Sequence, residues 1–133
     1  MLDHISLGVS DLDRAVAFYD RILAPLGYTR LWRTERGAGY GVSGSDEPFA
    51  IFAAGDTTRS AGAGCHIALT APSRLAVDAF HRAALAAGAA DQGGPGPRPH
   101  YGPTYYAAFI RDHDGHKIEA VCHRAESAPA SPT

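Results

Sequence analysis

Gly64-Cys65-His66-Ile67-Ala68-Leu69-Thr70, in the middle of the chain, reads as a β-strand. Apolar Ile67 and Leu69 fall on one side, and Ala68 and Thr70 on the other. The two-residue period puts His66 on that second, roomier side. A near copy opens the chain, Asp3-His4-Ile5-Ser6-Leu7-Gly8, with Ile5 and Leu7 on one face and His4, Ser6 and Gly8 on the other. From His4 to His66 the offset is 62 residues, and the same offset pairs Ala17 with Ala79, Phe18 with Phe80, Leu23 with Leu85 and Ala24 with Ala86. The chain is an internal duplication, with one histidine at the same point of each half.

A period of this length is too long for a solenoid unit and fits two halves closing on one another. The 133 residues suffice for one domain with its own core. A net charge of −2 gives no basic field for nucleic acid or an anionic membrane. No leader-like run precedes the first strand and no apolar run reaches membrane-spanning length, so a cytoplasmic protein is expected. Cys65 and Cys122 fit a reducing compartment and are read as small buried hydrophobes rather than a disulfide. The single lysine, Lys117, beside many arginines is read as codon bias.

Taken in order, a strand over residues 2–9 ends at Ser10, read as the cap of a helix whose core face carries Ala15, Phe18, Tyr19 and Ile22. Pro25 and Gly27 close that helix. Residues 28–35, 39–43 and 49–54 read as three short strands, separated by glycine-containing turns. The first half, about 1–56, is thus βαβββ. The second, about 64–123, repeats it: strand 64–70, then a helix over about 73–87 with Val77, Phe80, Ala84 and Leu85 facing the core. Residues 91–103 are dense in Gly and Pro and read mostly as loop, with room for one short strand. Strands 104–111 and 116–122 follow, joined by a turn in which Gly115 supplies the positive φ. The domain spans 1–123, and residues 124–133 read as a disordered tail.

On the last strand Ile118 and Ala120 take the core side, so Glu119 points the same way as His4 and His66, away from the helices. Two imidazoles and a carboxylate on a concave sheet suit a divalent ion such as Fe, Mn, Zn or Ni, with positions left open for water or substrate. One strand histidine alone is more often a hydrogen-bonded partly buried residue, and one late glutamate more often solvated. Their symmetric placement favours the metal. His100, Tyr101, Tyr105 and Tyr106 lie near enough in sequence to supply a proton or a substrate hydrogen bond, although packing accounts equally well for any one tyrosine. Tyr105 shares the parity of Phe109 and Tyr106 is opposite. Trp32 and Tyr40 are candidates for an apolar wall, Arg30, Arg33, Arg36 and Arg98 for anion contacts. His81, His113, His116 and His123 receive no role, with His81 placed on a helix surface.

Several segments together resemble the vicinal oxygen chelate superfamily, which includes glyoxalase I, extradiol dioxygenases, fosfomycin-resistance transferases and bleomycin-resistance proteins. They are His4-Ile-Ser-Leu-Gly-Val-Ser-Asp-Leu12, Phe18-Tyr19, Leu23-Ala-Pro-Leu-Gly-Tyr28, Cys65-His66-Ile67 and Phe109-Ile-Arg-Asp-His-Asp-Gly115-His-Lys-Ile-Glu119. The resemblance implies an α+β fold of two βαβββ repeats forming a curved mixed sheet around a cavity. It also implies a metal at His4, His66 and Glu119, a small substrate that chelates it through vicinal oxygens, and a homodimer.

The chain departs from two subclasses. Glyoxalase I-like members place a further carboxylate ligand in the last strand of the first half, where this chain has Pro48-Phe49-Ala50-Ile51-Phe52-Ala53. Extradiol dioxygenases place a tyrosine ten residues before the glutamate, where this chain has Phe109. The reading is therefore a metal-dependent lyase or dioxygenase with Glu119, His100 and Tyr105 as its catalytic candidates. The alternative is a non-catalytic drug-binding protein of the bleomycin-resistance kind.

Overall fold

The computed structural model describes residues 1–44 and 46–126. Strand β1 (Ile5–Val9) leads into helix α1 (Leu12–Leu23), then β2 (Thr29–Arg33), β3 (Gly37–Gly41) and β4 (Phe49–Ala53). The second half runs β5 (Ile67–Thr70), α2 (Arg74–Ala86), β6 (Ala90–Pro97), β7 (Tyr106–Arg111) and β8 (Lys117–Cys122). Each half makes one mixed four-stranded sheet, in the orders β1-β4-β3-β2 and β5-β8-β7-β6. β1 runs parallel to β4 and β5 parallel to β8, so each repeat closes by bringing its first and last strands together. The expected α+β duplicate of βαβββ units is the fold.

The helices follow from local chemistry, with one change at the first cap. Asp11, not Ser10, caps α1 by accepting from the Arg14 amide, while the Ser10 hydroxyl donates to Asp114 at 2.6 Å. Ser10 is recruited across the molecule because the turn before β8 comes within its reach. A short 3₁₀ turn over Ala24–Leu26 ends at Gly27, whose φ of 86° satisfies the last carbonyls without a Cβ penalty. Ser73, where the second helix was expected to begin, caps α2 by accepting from the Ala76 amide.

A single apolar cluster spans both halves, with Phe18, Tyr19 and Ile22 of α1 and Val77, Phe80 and Ala84 of α2 at its centre. Leu85, expected in the core, is 40% exposed; His81 is packed inward instead. The helix is rotated so that His81 Nε2 reaches Asp91 Oδ1 at 3.0 Å, tying α2 to β6. Cys122 is buried, whereas Cys65 is exposed beside the strand start and not a core residue. The Gly/Pro-rich stretch expected to be mostly loop contains the eight-residue β6. It is an edge strand with two irregularities of register against β7, the arrangement in which Gly and Pro are tolerated.

The two halves are pinned where β1 and β5 are edge strands. The free edge of β1 is capped by His116 Nε2 donating to the Gly8 carbonyl at 2.8 Å. At the equivalent point of β5, the Tyr28 hydroxyl donates to the Thr70 carbonyl at 3.0 Å. Such caps satisfy the edge and stop other chains from pairing there. Buried Tyr19 donates to Asp112 Oδ2 at 2.5 Å, and burial beside that carboxylate pushes its phenol well above the ordinary range. Among the described residues no helix is long and apolar enough to cross a membrane. The tail expectation for residues 127–133 lies outside the described residues.

Candidate functional site

Strand register decides which side chains share the open face of each sheet. In the second sheet Ala68 of β5 lies opposite Glu119 of β8, which lies opposite Phe109 of β7. The helices cover the other face with Ile118 and Ala120 buried against them, so Glu119 takes the open face of the sheet. It is 1% exposed there, a carboxylate buried beneath its neighbours' side chains. Both of its oxygens are engaged. His66 Nε2 lies 2.9 Å from Oε1, and the Tyr105 hydroxyl donates to Oε2. Burial, together with that hydrogen bond, raises the Tyr105 phenol to about 12, so at neutral pH it carries its proton.

Rings build the wall around this carboxylate. The Phe109 and His66 rings meet edge to face at 5.8 Å, and Tyr105 contacts Tyr101 at 5.2 Å and His123 at 5.1 Å. His100 stacks on Tyr101 at 4.1 Å, one ring removed from Tyr105. Arg98 and Lys117 lie over the Phe109 ring, at 5.7 and 5.2 Å from its centroid. Arg98 is held there by donating to the carbonyls of Gly94 and Gly96. Tyr106, of opposite parity, points away and donates to Asp78.

The open face of the first sheet carries a hollow of about 410 Å³, lined by Asp3, His4, Ser6, Trp32, Asp46 and Glu47 among others. Exposed His4 contacts Asp3 at 2.5 Å through Nδ1. Trp32 of β2 lies flat over Gly39, where a Cβ would stand 2.0 Å from the indole Nε1. Tyr40 is buried in the core and lines neither face. At the register position of Glu119 the first repeat has Ala50, opposite Ser6.

The structure therefore brings His66, Glu119 and Tyr105 together, sets His100 at the margin, and leaves His4 at the hollow of the first sheet. Among the described residues no three His, Cys, Asp or Glu side chains are grouped to share an ion. The His66–Glu119 pair still suits one. An imidazole nitrogen and a carboxylate oxygen 2.9 Å apart are donor types that a divalent transition ion would take. A buried carboxylate with no Lys or Arg ion pair among the described residues is also a site that a cation would stabilise.

The sequence profile of the Glyoxalase/Bleomycin resistance protein/Dioxygenase superfamily matches residues 1–120. No curated protein matches the chain in sequence. Among solved structures, a glyoxalase/bleomycin resistance protein from Albidiferax ferrireducens T118 is 31% identical, with a TM-score of 0.77 over 90% of this chain and 95% of that one. A glyoxylase/bleomycin resistance protein/dioxygenase domain from Frankia sp. EAN1pec shares the fold at 22% identity and TM-score 0.67, covering 93% and 98%. So does the genomically encoded fosfomycin resistance protein FosX from Listeria monocytogenes, at 21% and 0.66, covering 92% of each chain.

Proposed function

The chain belongs to the glyoxalase/bleomycin resistance protein/dioxygenase superfamily, and on that premise we propose that it is a metal-dependent enzyme acting on a small substrate through adjacent oxygens. The observation that carries this is Glu119, 1% exposed and held at 2.9 Å from His66 on an open face. His66 and Glu119 would hold the ion from one protomer, and His4 from a second copy would complete the set. What supports that division is the placement of the donors: each protomer offers one imidazole on its first sheet and an imidazole–carboxylate pair on its second. A homodimer that lays one protomer's first sheet against its partner's second unites them.

A divalent ion bound there supplies electrophilic polarisation of a substrate oxygen. The chain's own residues do the rest. Tyr105, protonated at neutral pH, commits its one hydrogen to Glu119 Oε2, and would turn that hydrogen bond to a substrate oxygen that takes the carboxylate's place. Phe109 packs on His66 and would shield the bound substrate, with His100 and Tyr101 at the margin. The register position of Glu119 is Ala50 in the first repeat, and the carboxylates that line the hollow beside His4 are Asp3, Asp46 and Glu47; the reaction is dioxygenase-like or lyase-like. A drug-binding role without chemistry is the second reading, favoured by the separation of His4 from His66 and Glu119.

Elemental analysis of protein purified without chelator or affinity-tag metal tests the proposal. Near one equivalent of iron, manganese, zinc or nickel per chain is expected, lost in Glu119→Gln. No metal in either protein after attempted refilling would sink the enzyme reading in favour of the binding protein.

A further inference from the structure

Where the two repeats meet, a cleft of about 300 Å³ opens between β1 and the start of β5 and β8. The segment joining the repeats crosses its mouth. Its lining includes Ser6, Arg59, Ser60, His66, His116 and Lys117, and no aspartate or glutamate. In a chain with net charge −2, a cleft lined by two full cations and no acid is a local inversion of the protein's field. Neither cation is neutralised from elsewhere: among the described residues Arg59 and Lys117 form no ion pair.

The parts are held in place by the fold. Arg59 is anchored by donating one guanidinium nitrogen to the carbonyls of Asp56 and Thr58, which leaves its other donors free. Lys117 lines the cleft, and its ammonium lies 5.2 Å from the centroid of the Phe109 ring, which steadies the side chain. His116 has Nε2 committed to the Gly8 carbonyl, fixing its ring at the cleft wall. His66 belongs to both places, since it lines the cleft and touches Glu119.

We propose that this seam cleft binds the oxyanion head group, carboxylate or phosphonate, of a small substrate whose reacting end lies at His66 and Glu119. Arg59 and Lys117 supply the charge, and the Ser60 and Ser6 hydroxyls line the same wall. A head group seated there places the next one or two atoms beside His66. Only the link to the reacting end rests on the reading under Proposed function; binding of the anion does not need a metal.

The test therefore uses metal-free full-length protein, so that a failure of anion binding and a failure of metal binding are read separately. Calorimetric titration with pyruvate and with methylphosphonate is expected to show saturable binding of at least one, with uncharged methyl pyruvate not binding. Amide NMR shifts should concentrate at residues 6–8 and 59–67. Arg59→Met and Lys117→Met should each weaken binding about tenfold, Arg59→Lys should restore most of it, and unchanged melting curves exclude misfolding. The tighter of the two acids identifies the head group. Equal affinity for the acid and its methyl ester, no effect of the two methionine variants, or shifts centred instead on Arg74 and Arg124 would overturn the proposal.

Discussion

At one shared register, the first sheet presents Ser6, Ala50, Gly39 and Trp32 across its four strands, and the second presents Ala68, Glu119, Phe109 and Gly93. The backbones repeat, while bulk and charge have been redistributed along the row. In the first sheet the aromatic ring sits on the outer strand and folds inward over a glycine. In the second, the ring sits one strand closer and the carboxylate next to it. Duplication conserves what the apolar face needs for packing and leaves the open face free to diverge. The two open faces are therefore unequal partners: one carries Trp32 and Ala50 with His4 and carboxylates at its hollow, the other a buried carboxylate with a histidine and a tyrosine.

The largest expected effect comes from setting the two open faces against each other. His4→Ala and Glu119→Gln should each lose bound metal as homodimers. Refolded together, they should recover about a quarter of the wild-type metal, because half of the dimers are mixed and each mixed dimer keeps one intact ligand set. No recovery would break the division of the site between protomers.

Next in size is Tyr105→Phe. It leaves one oxygen of a fully buried carboxylate without its donor, at a cost of about 2 kcal/mol in urea unfolding. The phenol is raised from its ordinary 10 to about 12 in the folded protein. Its contribution is therefore whole below about pH 10 and is lost as pH rises toward 12. The stability gap between wild type and Tyr105→Phe should narrow across that window. A gap that widens would mean that the hydroxyl does not serve Glu119 in its neutral form.

Gly39→Ala sharpens the comparison from the other side. A Cβ there meets the indole of the chain's one tryptophan at 2.0 Å. The ring must swing off the sheet, costing about 1 kcal/mol. The shift in Trp32 emission is the readout. Gly93→Ala, at the outer end of the second row, is strained by its φ of 148° but should leave that emission unchanged. Equal spectra for wild type and Gly39→Ala would mean that the indole does not floor the first hollow.

Much of this was legible in particular residues. The alternation at His66–Thr70 and its copy at His4–Gly8 gave the strands, and Ser73 and Gly27 marked helix boundaries where their chemistry demands it. Parity along β8 put Glu119 opposite Ile118, which was enough to aim it at the open face. Parity likewise separated Tyr105 from Tyr106. The failures share a cause. Ser10 is drawn from its cap by Asp114, His81 is drawn inward by Asp91, and β6 survives its glycines and prolines because β7 supplies the pairing. Each partner is distant in sequence or in another element, beyond any local pattern.

The sequence by itself determined the duplication, the order of elements and the donor types, because periodicity and spacing record which face each residue takes. Tertiary structure alone decided which donors meet. Position 50 and position 119 are equivalent in register, and His4 and His66 are equivalent by repeat. Yet only His66 reaches a carboxylate of the last strand in its repeat, since Glu119 stands beside it and Ala50 beside Ser6. The seam cleft belongs to the same category. Arg59 and Lys117 lie far apart in the chain, and only the packing of one repeat on the other gives them a common cleft.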